Sequence, residues 1–271
     1  MPDPEYIGCG FRTLCTREWL VARLAAAGWV AAEEEADELA AGAPDEATLE
    51  AWAGRREAGE PLAWIVGGLW FCGVWVRVDA GVYVPRLQSE ELARRAAALL
   101  PAGGLAVDLC TGSGAVAAAL SAAVPSATVV GVDLDRRAAA CARANGVRAV
   151  AGDLDGPLRP GPRADVVTAV APYVPTGALR LLPADVRRHE PRSALDGGAD
   201  GLDVVRRVVA AAGRLLRPGG WLLVEVGGEQ DADLDPSLAA AGLGPAEPWW
   251  DEDGDLRGLA SRCTPGGPPG S

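Results

Sequence analysis

Three acids recur at matching places along one half of the chain. Asp108 ends the apolar run LAV, Asp133 closes VVGV, and Asp153 follows Gly152. Directly behind Asp108 and Leu109, the residues Cys110, Thr111, Gly112, Ser113 and Gly114 interrupt the apolar run before an alanine-rich segment begins. Strand, glycine turn and helix in that order outline a nucleotide-type site, because glycine tolerates the turn and lets backbone approach a ligand. Asp133 stands 25 positions after Asp108, close to the spacing at which an acid accepts both hydroxyls of a ribose. Its structural reading is a helix-start acid, a role that Asp135 fits better. Asp153, with Leu154 beside it, ends a third strand, where a carboxylate accepts from an adenine amino group. Three acids at three successive strand ends outline one cleft at the carboxyl edge of a sheet.

The turn lacks the Gly-Lys-Ser/Thr ending of a phosphate grip, and two acids crowding it repel a triphosphate. A ligand with a cationic, phosphate-free end fits better. S-adenosylmethionine carries an amine, a sulfonium and a ribose.

Those acids need a sheet to hold them. Strands near 105–109, 127–132, 147–150, 164–170 and 220–226 alternate with helices near 114–124, 135–145 and 201–216, which predicts a mostly parallel α/β sheet covered on both faces. Two further strands, 246–250 and 257–262, lack a helix between them and read as an antiparallel hairpin at the edge. Upstream, residues 16–59 read as three short helices, the first capped by Thr16. Alternation and aromatics over 61–85 predict a β-hairpin. A helix starting near Ser89-Glu90-Glu91 and carrying 92–100 follows, with Ser89 as its cap. Arg86 just before it points to an anion or cofactor, or to plain surface. The expected division is a helical bundle over 1–60, a hairpin linker over 61–86, a cofactor-binding catalytic domain over 87–263 and a disordered tail over 264–271.

Composition narrows the chemistry. The net charge is −12, and arginine occurs without any lysine. So acidic a chain is poorly suited to tracking a phosphate backbone, and no nucleic-acid partner is expected. Six cysteines form no CxxC pair, and a single histidine, His189, starves metal triads and serine-hydrolase triads alike, so no metal is expected. No run of about 18 apolar residues reads as a membrane span and the start carries no targeting pattern, so a cytoplasmic protein without a membrane partner is expected.

DLCTGSGAV, GVDLD, GDLDGP and APYVP, in that order, resemble the class I S-adenosylmethionine methyltransferases, and specifically the HemK/PrmC-type protein-(glutamine-N5) methyltransferases. The likeness extends upstream to GEPLAWIVGGLWFCGVWVRVDAGVYVPR and downstream to HEPRSALDGGADGLDVVRRVV and LRPGGWLLVEVG. The resemblance implies a Rossmann-like seven-stranded sheet with a small N-terminal helical domain and linking hairpin. It also implies S-adenosylmethionine as cofactor, with Asp108, Cys110, Thr111, Gly112 and Gly114 around its methionine portion. Asp133 and Leu134 would then meet the ribose, and Asp153 and Leu154 the adenine. Such enzymes hold the target amide with Asn-Pro-Pro-Tyr after the fourth strand. Here the matching residues are Val170, Ala171, Pro172 and Tyr173, so the asparagine is gone and with it a side-chain donor and acceptor. A second departure is Gln88-Ser89-Glu90, where relatives carry Glu-Thr-Glu.

Both departures face the expected substrate side, while the cofactor motifs are intact. The expected function is therefore an enzyme redirected from protein glutamine to a small molecule, by methyl transfer or by ring closure of a sulfonium-linked substrate. Trp64, Trp70 and Trp75 read first as core or hairpin packing; for a small-molecule substrate they would form an apolar pocket with Val170. Ring closure would need a base, for which Glu190, His189, Glu225 and Tyr173 are candidates; His189 otherwise reads as surface. The alternatives are methylation of a release-factor glutamine and non-catalytic cofactor binding. A monomer or homodimer is expected.

Overall fold

The computed structural model describes residues 5–161 and 163–264, with side chains from residue 16 onward. Except for Thr264, the expected tail lies outside the described residues. Helices α1 (Glu5–Ala26), α2 (Ala32–Gly42) and α3 (Glu46–Glu57) open the chain. Thr16 lies inside α1 instead of capping it. Asp45 does cap α3, its Oδ1 accepting from the Thr48 N–H at 2.7 Å. Leu20, Leu24, Ala36, Leu39 and Ala53 are completely buried where the three helices meet.

The expected hairpin is shorter than its sequence texture. Residues 62–66 form a short helix, α4 (Leu62–Val66), preceded by Pro61 and stopped by Gly67 in the left-handed region at φ 90°. Strands β1 (Gly68–Phe71) and β2 (Val74–Arg77) then pair antiparallel, opposing Trp70 to Trp75. Cys72 and Gly73 make the two-residue turn, both at positive φ (48° and 75°), which suits the strand twist.

Helix α5 (Glu90–Leu99) begins where the sequence places its start, after a 3-10 turn over Leu87–Ser89. Ser89 makes no cap; its hydroxyl donates to Glu225 instead. The α/β part follows as β3 (Leu105–Leu109), α6 (Ala115–Ala123), β4 (Thr128–Asp133), α7 (Arg136–Ala144), β5 (Arg148–Ala151) and β6 (Ala164–Ala169). It continues with α8 (Ala184–His189), α9 (Asp203–Leu215), β7 (Leu216–Glu225), α10 (Asp235–Ala240), β8 (Glu247–Trp250) and β9 (Leu256–Arg262).

The seven strands lie in the order β5-β4-β3-β6-β7-β9-β8; the first five are parallel, and β9 and β8 antiparallel. Alternate residues supply the two faces. Val107, Leu109 and Val167 pack toward α9, whereas Ala106 and Val166 pack toward α5 and α6. On α9, Val205, Val208, Val209 and Ala212 are fully buried, each valine contributing about 2 kcal/mol. The chain leaves β3 on one side for β4 and returns on the other for β6, so the strand order reverses between β3 and β6. In open α/β sheets the crevice beyond the strand ends at that reversal is where ligands bind.

Gly114 seats α6 at this crevice. It has φ 83°, and a Cβ there would stand 2.9 Å from the Ala142 Cβ and 3.0 Å from Val147 Cγ2. Gly114→Ala combines backbone strain with overpacking and is expected to cost about 3 kcal/mol of stability in urea unfolding. A loss under about 0.5 kcal/mol would show that α6 shifts freely. Among the described residues no helix is long and apolar enough to cross a membrane, and no three His, Cys, Asp or Glu side chains form a metal-holding group.

Candidate functional site

Asp108 sits at the end of β3, 2% exposed. Its Oδ2 accepts from the Thr111 hydroxyl at 2.5 Å and its Oδ1 from the Thr168 hydroxyl at 2.7 Å. Thr168 reaches it because β3 and β6 pair those two residues in register. Burial pushes the Asp108 carboxyl up to about 6, the two hydroxyls pull it back, and Asp133 adds repulsion. Asp108 faces a small side pocket of about 30 Å³ together with Thr111, Gly112 and Ser113, and the buried Ser113 Oγ has no partner there.

Asp133 and Asp135 divide the work that their spacing left open. Asp135 caps α7, accepting from the Arg137 N–H. Asp133 Oδ2 accepts from the Gly112 N–H and Oδ1 from the Asp135 N–H, both at 2.8 Å, which pins the glycine turn to β4. Each oxygen keeps a further lone pair. Burial raises the Asp133 carboxyl, and those two N–H donors offset part of the rise.

A cleft of about 440 Å³ runs past these residues, lined by Cys110, Gly112, Asp133, Leu134, Asp153 and Leu154, with Val170 at one end. Leu134 is 71% exposed and offers a flat apolar rim. Cys110, directly beyond β3, and Leu154, three residues beyond β5, are held at positive φ (56° and 47°), strain that clusters at functional clefts. Gly114 packs behind the turn and does not line this cleft. Asp153 stands at the rim, where both its oxygens accept from Arg207 Nη2 (2.7 and 2.6 Å), so a ligand amino group would share it with that arginine.

A second cavity of about 380 Å³ meets the cleft at Val170. Tyr83 also lines both; Arg86, Ala171, Tyr173 and Asp185 line the second, and Pro172 the first. Above Tyr173 a polar network closes on Glu225 at the end of β7. The Tyr173 hydroxyl donates to Glu225 Oε1 at 2.9 Å, Gln88 Nε2 donates to the same oxygen at 3.1 Å, and the Ser89 hydroxyl donates to Oε2 at 2.5 Å. Arg257 donates to Gln88 Oε1 at 3.2 Å, which fixes the amide's orientation. Burial and the neighbouring Glu225 push the Tyr173 phenol far above its ordinary range, so it stays protonated.

Other expected site residues are not brought here. Glu190 lies beyond Arg86 in a groove beneath the hairpin; its Oε1 accepts from Arg86 Nη2 at 2.6 Å and its buried Oε2 has no partner. Trp70 and Trp75 line that same groove, 64% and 44% exposed, because they lie opposite one another on a hairpin face turned outward. Trp64 donates to the Val82 carbonyl and meets His189 edge-on at 6.2 Å, so the histidine is half-buried packing, not free surface. No tryptophan shares a cavity with Val170 among the described residues. Conversely, Thr168 and Tyr83 are not singled out from sequence, and Arg207 reads there as part of a solvated helix face. Thr168 had a signal: a lone hydroxyl inside the apolar strand ADVVTA.

No family model matches the chain. Over 179 residues it is 42% identical to a release factor glutamine methyltransferase of Geobacter sulfurreducens, covering 64% of this chain and 63% of that one. The chain thus spans just under two thirds of that relative. A release factor glutamine methyltransferase of Moorella thermoacetica is 37% identical over 243 residues, 86% of this chain and 81% of that one. A 4-amino-L-phenylalanine/4-methylamino-L-phenylalanine methyltransferase of Streptomyces pristinaespiralis is 39% identical over 200 residues, 69% and 67% respectively. Among solved structures, a ribosomal protein L11 methylase of Lactobacillus delbrueckii superposes with a TM-score of 0.50 at 16% identity over 70% of this chain and 85% of that one, a likeness of fold.

Proposed function

The chain belongs to the HemK-type glutamine methyltransferase family of class I S-adenosylmethionine-dependent methyltransferases, and from that premise we propose that it methylates a nitrogen of a small molecule. The observation that carries this reading is Val170, which stands where the two cavities meet. Enzymes that the sequence resembles place an asparagine there to hold an amide; valine offers no donor or acceptor. The relative named for 4-amino-L-phenylalanine supports a small amine as acceptor.

The cleft fits the cofactor by its donor set. Asp108 and the unpartnered Ser113 Oγ, in the side pocket beside it, suit an ammonium end, the spare lone pairs of Asp133 suit a diol, and Leu134 and Leu154 suit an apolar ring. When bound, S-adenosylmethionine supplies a methyl group on a positively charged sulfur. The protein's part is placement: Val170, Tyr83 and Tyr173 confine the acceptor at the junction, where proximity and orientation do most of the catalysis. An aromatic amine is neutral at pH 7 and exposes its lone pair without a base, so an apolar wall suffices for it. A primary amide delocalises that lone pair and depends on polar partners.

Incubation with S-adenosylmethionine and 4-amino-L-phenylalanine, followed by mass spectrometry, is expected to give the N-methylated amine, while a Gly-Gly-Gln peptide gives none. Methylated peptide with unchanged amine would favour the protein-glutamine reading, and cofactor binding without either product would favour a non-catalytic binder. Val170→Asn is expected not to create peptide methylation on its own, because Gln88 and the walls around it also differ; a rise of about 100-fold would overturn the reading.

A further inference from the structure

We infer that the acceptor is a free amino acid, its carboxylate taken by Arg86 and its ammonium by Asp185, with the nitrogen to be methylated at the Val170 end; this rests on the small-molecule reading above. Arg86 and Asp185 both line the acceptor cavity, which has the size of a small-ligand site. The walls between them and Val170 are apolar or aromatic, among them Tyr83, Tyr173, Val174 and Leu195.

Arg86 bonds Glu190 through Nη2 at 2.6 Å and lies 4.9 Å from the centre of the Tyr83 ring. A guanidinium carries five donors in a planar fork that matches a carboxylate, so Glu190 leaves most of them for a ligand. Glu190, 1% exposed, anchors Arg86 from behind. Asp185 Oδ1 accepts from the adjacent Val186 N–H at 2.9 Å, and Oδ2 stands 3.6 Å from Arg56 Nη1, a loose pair that leaves acceptor capacity. A cation and an anion in a cavity whose other lining is apolar or aromatic except for Gln88 complement the two charges of an α-amino acid. A glutamine within a protein has both groups tied up in peptide bonds and presents neither charge. The same pair therefore separates a free amino acid from a protein acceptor.

The test compares 4-amino-L-phenylalanine with its decarboxylated counterpart, 4-(2-aminoethyl)aniline, and its deaminated counterpart, 3-(4-aminophenyl)propanoate, which share one aromatic nitrogen. The amino acid is expected to exceed either in kcat/KM by about 30-fold, the worth of one charge-assisted hydrogen-bonded contact. Arg86→Gln together with Glu190→Gln removes both members of the buried pair, so no lone charge is left inside. That double variant is expected to lose the preference over the decarboxylated amine and keep the preference over the deaminated acid; Asp185→Asn is expected to do the reverse. Structural damage would not produce this crossed pattern. Equal rates for the three compounds, or equal losses on all three in both variants, would overturn the assignment. If none of the three is methylated, the outcome with Gly-Gly-Gln peptide tells the cases apart: methylated peptide defeats the small-molecule reading and this assignment with it, and no product at all defeats both.

Discussion

Asp108→Asn is expected to weaken S-adenosylmethionine binding by about 100-fold in calorimetry, the worth of a hydrogen-bonded charge pair in a buried site. The substitution keeps the shape, and its amide still meets the Thr111 and Thr168 hydroxyls. What it removes is the charge. In the parent protein the carboxyl titrates near 6 because it is buried, and only its ionised form pairs with an ammonium, so cofactor affinity rises as pH climbs through about 6. The variant's affinity stays flat across that range. Stability moves the opposite way. A folded-state pKa raised above the unfolded value gives a contribution that is full below the unfolded value and lost as pH rises through the folded one. At pH 8 the parent without ligand therefore carries the cost of a buried ionised acid, and the variant is expected to unfold no more easily. An unchanged Kd, or a variant that melts well below its parent, would mean that Asp108 supports the turn and not the ligand.

Glu225→Leu is expected to lower kcat/KM for the amine by about 100-fold and stability by about 2 kcal/mol. Leucine takes away the oxygens to which the hydroxyls of Tyr173 and Ser89 and the Gln88 amide donate; the cost falls on buried Ser89 and half-buried Tyr173, about 1 kcal/mol each, while exposed Gln88 keeps the Tyr173 hydroxyl and water as partners. Tyr173 walls the acceptor cavity, so a shift of about 1 Å at its ring is enough for a loss of that size. Glu225→Gln retains an acceptor and is expected to lose only about 10-fold. Steady-state kinetics beside urea unfolding separates the two roles: equal activity in both variants despite the leucine variant's lower stability would make the network purely structural.

Where the sequence carried periodicity, the architecture could be read from it. The strand ends bearing Asp108 and Asp133 follow from apolar runs broken by glycine or by a capping acid, and the division of work between Asp133 and Asp135 follows from helix-start chemistry. The short helix α4 was not legible, because Trp64, Ile65 and Val66 have strand texture and only the flanking Pro61 and Gly67 bound a turn of helix. Long-range pairings were also hidden. Nothing local says that Ser89 spends its hydroxyl on Glu225, 136 positions away, or that Arg86 pairs with Glu190, 104 positions away. The tryptophans read first as packing, as Trp64 against His189 and Trp70 against Trp75 are, but which face of the hairpin turned outward was set by β1–β2 register and by the segment behind it.

The most direct measurement is a competition. The protein is given S-adenosylmethionine labelled on its methyl group together with equimolar 4-amino-L-phenylalanine and a release factor carrying Gly-Gly-Gln, and the label is divided between the small-molecule and protein fractions. Label in the amine with the release factor blank is the predicted result. Label in the release-factor glutamine with the amine blank would contradict the account.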